Sequence, residues 1–203
     1  NLRKRRGSAL DQRVEQQPEQ PARHQQQPEA PVEPRGAPLR AIGLLLFLPL
    51  LWPRGDFIDA GDARLSMLDV GQGMSVLVQT QNHAMLYDAG PRSHGGFDFG
   101  EAVVVPSLRA LGVRNLDRLM LSNQDADHAG GRDAVLRAYP QVDVCIGIEA
   151  DAAKRCESGQ SWVWDGVTFE VLHPPLFFPD KGNESSCVLR IQSLHGSALL
   201  TGD

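Results

Sequence analysis

The chain has 203 residues, of which 41% are hydrophobic and 22% are charged, with three cysteines and a formal net charge of −5. This composition is sufficient for a hydrophobic core, and it excludes a wholly disordered chain, a collagen-like chain and a small scaffold built on disulfides. Residues 1–40 carry 8 Lys and Arg against 5 Asp and Glu, whereas residues 41–203 carry 12 against 20. The two parts are therefore expected to differ in structure.

The first 40 residues contain 7 Gln and 6 Pro and almost no large apolar side chains. Such a segment cannot bury enough apolar surface to offset the entropy lost on ordering, so we predict that residues 1–40 are disordered. The basic cluster at residues 3–6 is more typical of a solvated flank than of a nucleic-acid or lipid contact.

Residues 41–53, AIGLLLFLPLLWP, form an uncharged apolar segment. As a helix it would cover about 20 Å, against about 30 Å of hydrocarbon in a bilayer. Three interpretations remain: the remnant of a transmembrane helix, an interfacial anchor, or a buried strand or helix. Because Trp52, Pro53 and Arg54 have the pattern of an interfacial end followed by exit into water, we favour the transmembrane remnant.

From residue 64 onward, short apolar runs alternate with turn signals, and this part is predicted to be one domain, residues 64–203. The first two strands are joined by Gly71-Gln72-Gly73 and are expected to form a hairpin. Strands followed by alternating helices and strands indicate a layered α/β fold. The pattern predicts strands at 65–70, 75–80, 84–87, 116–122 and 142–146, and helices at 102–111 and 131–139.

Residues with metal-binding chemistry concentrate in SNQDADHAGG, residues 122–131. Asp125 and Asp127 are two apart, so on an extended loop their carboxylates point to one side, and His128 can complete the set. The glycines that follow allow close backbone approach. Such a cluster can hold and deprotonate a water on a Lewis-acidic ion. The alternative is an acidic helix N-terminus, and the residues alone favour neither.

Several motifs in chain order resemble those of the metallo-β-lactamase superfamily, and most closely the C-terminal domain of ComEC-type competence proteins, the inner-membrane channels for DNA uptake. The resemblance implies an αββα sandwich, here C-terminally incomplete because the chain stops at Asp203. The motifs are LDVGQG (68–73), LYDAG (86–90), PSLRALGV (106–113), SNQDADHAGG (122–131), WVWDGVTFEVLHP (162–174), CVLR (187–190) and LLTGD (199–203).

The resemblance also implies roles for individual residues. Asp125, Asp127 and His128 match the family's His-x-Asp-x-Asp-His motif and would be catalytic metal ligands. Asp203 matches the strand-end aspartate that completes the metal site. Asp88 matches a strand-end aspartate that would support the metal-binding loop without binding the metal itself.

The chain departs from the family pattern at the first motif histidine, which is Asn123 here. A neutral amide binds transition metals poorly, so this ligand position is expected to be weakened. His173, in VLHPP, is interpreted as a packed or loop histidine rather than as the family's middle ligand. The remaining set of three aspartates and one histidine favours Mn²⁺ or Mg²⁺, with Zn²⁺ as the alternative.

The function that the resemblance implies is that of a metal-dependent hydrolase, a nuclease domain that degrades or processes incoming DNA in a competence uptake channel. Single-stranded or duplex DNA, the membrane channel domain of the same family and other competence proteins are the expected partners. Two alternatives remain open: a catalytically degenerate module that binds DNA or positions the channel, and a small-molecule metallohydrolase.

The cysteines bear on the compartment. Cys156 and Cys187 resemble positions kept as cysteine in related competence proteins, which implies a disulfide between them. Cys145, inside an apolar strand, is predicted to be a small buried hydrophobe. A disulfide would place the domain in the periplasm at the inner membrane, and the basic residues before the apolar segment agree with that orientation.

Overall fold

A computed structural model of the chain describes residues 42–43, 45–47, 57–93, 95–147 and 155–203, and the chain divides into two units, Asn1–Arg54 and Gly55–Asp203. The predicted disordered segment, residues 1–40, lies outside the described residues, as does most of the apolar segment 41–53. Within that segment, residues 42–43 and 45–47 are helical. None of the helices in the described residues is both long enough and apolar enough to span a bilayer.

The first sheet is mixed and has five strands in the order β1-β2-β3-β4-β5. The predicted β1–β2 hairpin is confirmed, because these strands pair antiparallel. β3, β4 and β5 run parallel, so the segments that follow them leave from the same edge of the sheet. The strands are β1 (Arg64–Met67), β2 (Val76–Gln79), β3 (Ala84–Tyr87), β4 (Arg118–Leu121) and β5 (Asp143–Ile146).

Helices cover one face of this sheet. A π-helical segment, Gly100–Val104, continues directly into α1, Val105–Ala110, and is followed by α2, Ala126–Ala129, and α3, Arg132–Ala138. The predicted helices at 102–111 and 131–139 are therefore present with slightly different bounds. Buried side chains from the helices and the sheet form one hydrophobic cluster, which includes Leu77, Leu86, Val104, Leu108, Leu119, Leu121 and Val135.

The opposite face of the first sheet packs on a second, antiparallel sheet with the order β6-β7-β8-β9. The described residues thus form three layers, helices, sheet and sheet, and the second helix layer of the expected αββα sandwich is not among them. The second-sheet strands are β6 (Ser161–Trp164), β7 (Val167–His173), β8 (Val188–Gln192) and β9 (Ser197–Leu200). The cluster between the sheets includes Met85, Tyr87, Met120, Phe169, Leu189 and Ile191.

The disulfide implied by the resemblance is present between Cys156 and Cys187, whose Cα atoms are 6.1 Å apart. Both cysteines are fully buried in the cluster between the sheets. Cys145 is a free, half-buried thiol that packs against the same cluster. Burial raises the pKa of the Cys145 thiol to about 11, so it is largely unreactive at neutral pH.

The hydroxyl of Tyr87 connects the two sheets. Tyr87 ends β3 and is fully buried, and its hydroxyl donates to the carbonyl of Cys187, with Leu200 O at 3.4 Å. Burial raises the pKa of this phenol well above its ordinary value. These hydrogen bonds hold the second sheet beside the end of β3, and Asp88 is the next residue along the chain.

Asp165 makes another connection between the sheets, at the opposite end of the strands. Asp165 and Gly166 form the β6–β7 turn, with φ angles of 49° and 86°, as a type I′ hairpin requires. One carboxylate oxygen of Asp165 accepts from the Thr80 hydroxyl at 2.6 Å and from the Asn82 backbone N–H at 2.7 Å. The other accepts from the Asn82 amide at 2.8 Å. The β6–β7 turn is therefore fixed to the β2–β3 turn.

The Asp165→Asn variant is expected to lose about 1 kcal/mol of stability at neutral pH, since it keeps the turn but loses the charge and one acceptor. Slight burial raises the pKa of the Asp165 carboxyl, but hydrogen bonds from Thr80 and Asn82 outweigh it, and the pKa lies below its ordinary value. The stability that depends on this charge is therefore present above about pH 4 and is lost as the pH falls through the lowered pKa. Urea unfolding at pH 7 and pH 3 measures this, and an equal difference between parent and variant at both pH values would contradict it.

Candidate metal centre

His128 lies at the centre of the residues predicted to form the site. It belongs to α2, just beyond the carboxyl end of β4, and is only 1% exposed. Its Nδ1 lies 2.8 Å from an Asp88 carboxylate oxygen. Its Nε2 lies 2.9 Å from Asp203 Oδ2 and 3.6 Å from Asp127 Oδ2. Each ring nitrogen therefore faces at least one carboxylate.

Asp88 contacts the His128 ring at Nδ1, on the side opposite Asp127 and Asp203. It follows β3 directly, is completely buried and has a φ of 60°, a left-handed conformation that aspartate tolerates better than most residues. Its Oδ1 accepts from the Ser122 backbone N–H at 2.6 Å, and its Oδ2 accepts from the Ser122 hydroxyl at 2.8 Å as well as facing His128. The ends of the parallel strands β3 and β4 are joined through this one carboxylate.

The buried pair of Asp88 and His128 retains a proton at neutral pH. The Asp88 carboxylate raises the pKa of the His128 ring to about 9, against the lowering effect of burial, and the charges of Asp203 and Asp127 raise it further. Burial raises the pKa of the Asp88 carboxyl, and hydrogen bonds from His128 and Ser122 oppose this. A ring pKa of about 9 means that, without an ion, both ring nitrogens carry a proton at neutral pH. Nδ1–H then donates to Asp88, and Nε2–H faces Asp203 and Asp127.

Asp127, His128 and Asp203 fit a divalent metal ion. One ligand atom from each residue lies within 4.8 Å of the others. A metal-binding histidine usually donates its second ring N–H to a carboxylate, and Asp88 occupies that position here. Two carboxylate oxygens and one imidazole nitrogen suit Mn²⁺, Zn²⁺ or, less well, Mg²⁺.

The structure does not bring Asp125 into this group. Asp125 is the N-cap residue of α2, although its side chain makes no capping hydrogen bond. It lines a small cavity with Asn123, Asp180 and Ser185, among other residues, next to the ligand group. Its assignment as a ligand remains a prediction. His173, which was expected to be a packed or loop histidine, has its Nδ1 3.1 Å from the Ser186 carbonyl oxygen, and its ring packs edge-on against Phe178.

Asn123, at the position of the family's first histidine, uses both ends of its amide within the protein. Its Nδ2 donates to the Ser186 hydroxyl at 3.1 Å, and its Oδ1 accepts from the Asp125 backbone N–H at 2.9 Å. The side chain is 6% exposed. Asn123 thus closes the turn before α2, and its oxygen is already engaged.

Three residues of this region were not identified from the sequence. Ser122 supplies two of the three hydrogen bonds to Asp88, Tyr87 connects the sheets, and Ser186 holds Asn123. Each is a polar side chain that is buried at or near a strand end. A polar residue next to an apolar strand and a motif is the signal that could have indicated a buried hydrogen bond.

A model of the metallo-β-lactamase superfamily matches residues 68–203, about two thirds of the chain. The chain belongs to this superfamily. The family match confirms the predicted metallo-β-lactamase fold for the domain. A metallo-β-lactamase of Cronobacter sakazakii with a HARLDQ motif has a TM-score of 0.49 at 21% identity, over 71% of this chain and 60% of that one.

Competence proteins are among the similar curated proteins. The competence protein ComA of Neisseria gonorrhoeae is 38% identical over 172 residues, which cover 84% of this superfamily member and 24% of ComA. Recombination protein 2 of Haemophilus influenzae is 35% identical over 144 residues, 69% of this chain and 18% of that protein. The resemblance to competence proteins is confirmed, and the chain spans about a quarter or less of the length of these relatives.

Proposed function

We propose that this domain is a metal-dependent phosphodiesterase that cleaves DNA as part of a competence DNA-uptake protein. The observation that supports this most is the convergence of Asp127, His128 and Asp203 at one edge of the sandwich, with His128 held by the buried Asp88. Similarity to competence proteins supports DNA as the substrate.

Each residue of the site has a separate part in the proposed reaction. A bound divalent ion would act as a Lewis acid, activating water and neutralising charge on the phosphoryl oxygens. Asp127, His128 and Asp203 would hold it once His128 gives up its Nε2 proton, and Asp88 keeps the other ring proton on Nδ1. In the hydrolysis, the water oxygen bonds to phosphorus, one bridging P–O bond breaks, and the departing oxygen takes a proton.

We assign one ion rather than two to this site. Asn123 stands at the position of the family's first motif histidine, and its amide is hydrogen-bonded to Ser186. The Asn123 oxygen is engaged by the Asp125 N–H. Neither Asn123 nor Ser186 is charged, so these two side chains offer little to compensate the dehydration of a cation.

The neutral Asn123 at the position of the family's first histidine also favours a second candidate. This candidate is a DNA-binding or channel-positioning module without hydrolytic activity. If turnover required ligands at the Asn123 position, the fold would persist with its metal chemistry lost. This candidate predicts DNA binding by a chain that cleaves no substrate.

The proposed setting is the periplasmic side of the inner membrane, together with a channel domain of the same family and other competence proteins. The Cys156–Cys187 disulfide supports an oxidising compartment. The similarity to competence proteins supports the partners.

The deciding experiment measures metal binding and DNA cleavage together. With Mn²⁺, Mg²⁺ or Zn²⁺, we expect one ion per chain and cleavage of single-stranded or duplex DNA, and Asp127→Ala should lower the cleavage rate at least about 100-fold because a metal ligand is removed. Asp133→Ala, an exposed acid on α3, is the matched control and should behave as the parent.

Asn123→His separates the two candidates. A parent that cleaves DNA supports the phosphodiesterase, with the histidine adding a second ion. Cleavage that appears only in Asn123→His, or in no folded variant while DNA still binds, would support the module without hydrolytic activity. A parent that hydrolyses small substrates but not DNA would refute both.

A further inference from the structure

We propose that Arg92 is the residue that holds a phosphate of the DNA strand beside the metal centre. This inference rests on the proposed function and identifies how the same site would attract its substrate. It concerns positioning of the substrate rather than the chemical step.

The backbone of Arg92 is fixed directly against the helix that carries two of the metal ligands. Its N–H donates to the carbonyl of Ala126 at 3.2 Å, and Ala126 precedes Asp127. The loop is held on its other side by hydrogen bonds from Phe99 N–H to Pro91 and from Ser93 N–H to Phe97. The position of Arg92 relative to Asp127 is therefore set by backbone contacts.

Two glycines make this close approach possible. A Cβ on Gly130 would lie 2.2 Å from the Arg92 nitrogen, and a Cβ on Gly73 would lie 2.9 Å from the Pro91 ring and 2.4 Å from the Asp127 carbonyl. Any side chain at either position would push the 91–92 segment away from α2. Only glycine therefore fits at positions 73 and 130, where the 91–92 segment contacts α2.

The guanidinium of Arg92 is exposed and has no counter-ion within the described residues. Asp98 lies opposite Arg92 in an isolated backbone β-bridge, but its side chain makes no ion pair with the guanidinium. Its Oδ1 accepts from the Glu101 N–H at 3.2 Å. Two other cations beyond the first sheet are paired, Arg155 with Glu157 and Lys181 with Glu184. Within the described residues, the hydrogen-bond donors of the Arg92 guanidinium are therefore available to a ligand.

The charge of the site explains why a phosphate needs such a partner. With Asp88, Asp127 and Asp203 ionised, a divalent ion still leaves one net negative charge, and the exposed Asp125 adds another. A phosphodiester is itself anionic. A planar guanidinium on the loop that contacts α2 can bind two phosphate oxygens at once, which would offset the repulsion and orient the strand.

The test compares Arg92→Gln and Arg92→Lys with the full chain, and uses Arg114→Gln as control. Arg114 is another exposed arginine, but it lies in the loop before β4, at the end of the sheet remote from the site. Binding of a short fluorescent single-stranded oligonucleotide is measured by anisotropy with Ca²⁺ at several salt concentrations. Cleavage with Mn²⁺ gives KM and kcat, and thermal unfolding and Mn²⁺ stoichiometry report on the fold and the ion.

For Arg92→Gln we expect about a tenfold rise in Kd and KM with kcat within about twofold, and a salt slope shallower by about 0.7, the value for one phosphate contact on a single strand. Arg92→Lys should keep the salt slope and recover part of the affinity, while Arg114→Gln should match the parent. If Arg92→Gln binds with the parent's Kd and salt slope, or loses Mn²⁺ together with activity, the inference is overturned.

Failure of the proposed function has a different signature from failure of this inference. A parent that binds DNA without cleaving it would refute the phosphodiesterase, and the salt slopes would still decide the role of Arg92. A parent that neither binds nor cleaves DNA would overturn both.

Discussion

Replacing Asp88 with alanine is expected to lower the free energy of unfolding by about 3–5 kcal/mol, the range for removing one partner of a buried ion pair. The Asp88 carboxylate is completely buried and is contacted by His128 Nδ1, the Ser122 N–H and the Ser122 hydroxyl. Without it, the Ser122 N–H stays buried and unpaired, and the Ser122 hydroxyl and His128 Nδ1 keep only their 3.1 Å contact with each other. Chemical denaturation in the presence of EDTA measures the protein contribution alone, because no ion can bind.

The Asp88→Asn variant separates the effect of the negative charge at residue 88 from the effect of the shape of its side chain. Asparagine tolerates the left-handed φ of 60° and can still accept from the Ser122 N–H, so its loss of stability should be less than half that of Asp88→Ala. Its affinity for a divalent ion should nevertheless fall about 10–100-fold, since His128 loses its anionic partner. Asp133→Ala, on the exposed face of α3, should change stability by about 0.5 kcal/mol or less. A change of that small size in Asp88→Ala would show that the buried network does not stabilise the fold.

Removing the disulfide has the second large effect, a loss of about 2–5 kcal/mol. The bond joins residues 31 apart in the sequence, and the chain-entropy model assigns about 3.7 kcal/mol to a loop of that length. It also holds Cys187, whose N–H donates to the Ser122 carbonyl at 2.8 Å and whose carbonyl accepts from Tyr87. Loosening this position should therefore also weaken the site.

Unfolding with and without reductant measures this effect. The Cys156→Ala/Cys187→Ala double variant should be destabilised in both conditions, and the parent should approach it only when reduced. Cys145→Ala should respond to reductant as the parent does, since Cys145 is a free thiol. Mass spectrometry of the unreduced parent should find it two hydrogens lighter than the reduced chain. A parent whose stability does not depend on reductant would contradict the prediction.

The parts of the fold that followed from the sequence have strong local patterns. β3 was predicted with its observed bounds, 84–87, because four apolar or aromatic residues lie between a turn and the Asp-Ala-Gly motif. The β1–β2 hairpin followed from the Gly-rich turn. By contrast, no element beyond residue 146 was given bounds, although strands were expected to end near His173 and before Asp203. The pairing of β6–β9 depends on contacts between the sheets that no short window of sequence contains.

The site was predicted in part, and the separation of Asp125 from the group formed by Asp127, His128 and Asp203 has a physical cause. The alternation that places Asp125 and Asp127 on one side applies to an extended loop. The backbone becomes helical at Ala126, and two residues of helix correspond to a rotation of about 200°, so the two carboxylates diverge. Ser122 and Ser186 were missed for another reason, since their roles depend on partners 34 and 63 residues away in sequence.

The ligand group has a consequence for the order of folding. Asp127 and His128 follow a strand of the first sheet, whereas Asp203 follows the last strand of the second, 75 residues beyond His128. An intermediate in which only the first sheet has formed would contain two of the three proposed ligands and would bind an ion weakly. If the proposed site binds an ion, the binding free energy, about 2.7 kcal/mol at an ion concentration 100 times Kd, would therefore stabilise only the assembled pair of sheets. Metal occupancy would thus mark molecules that have completed folding.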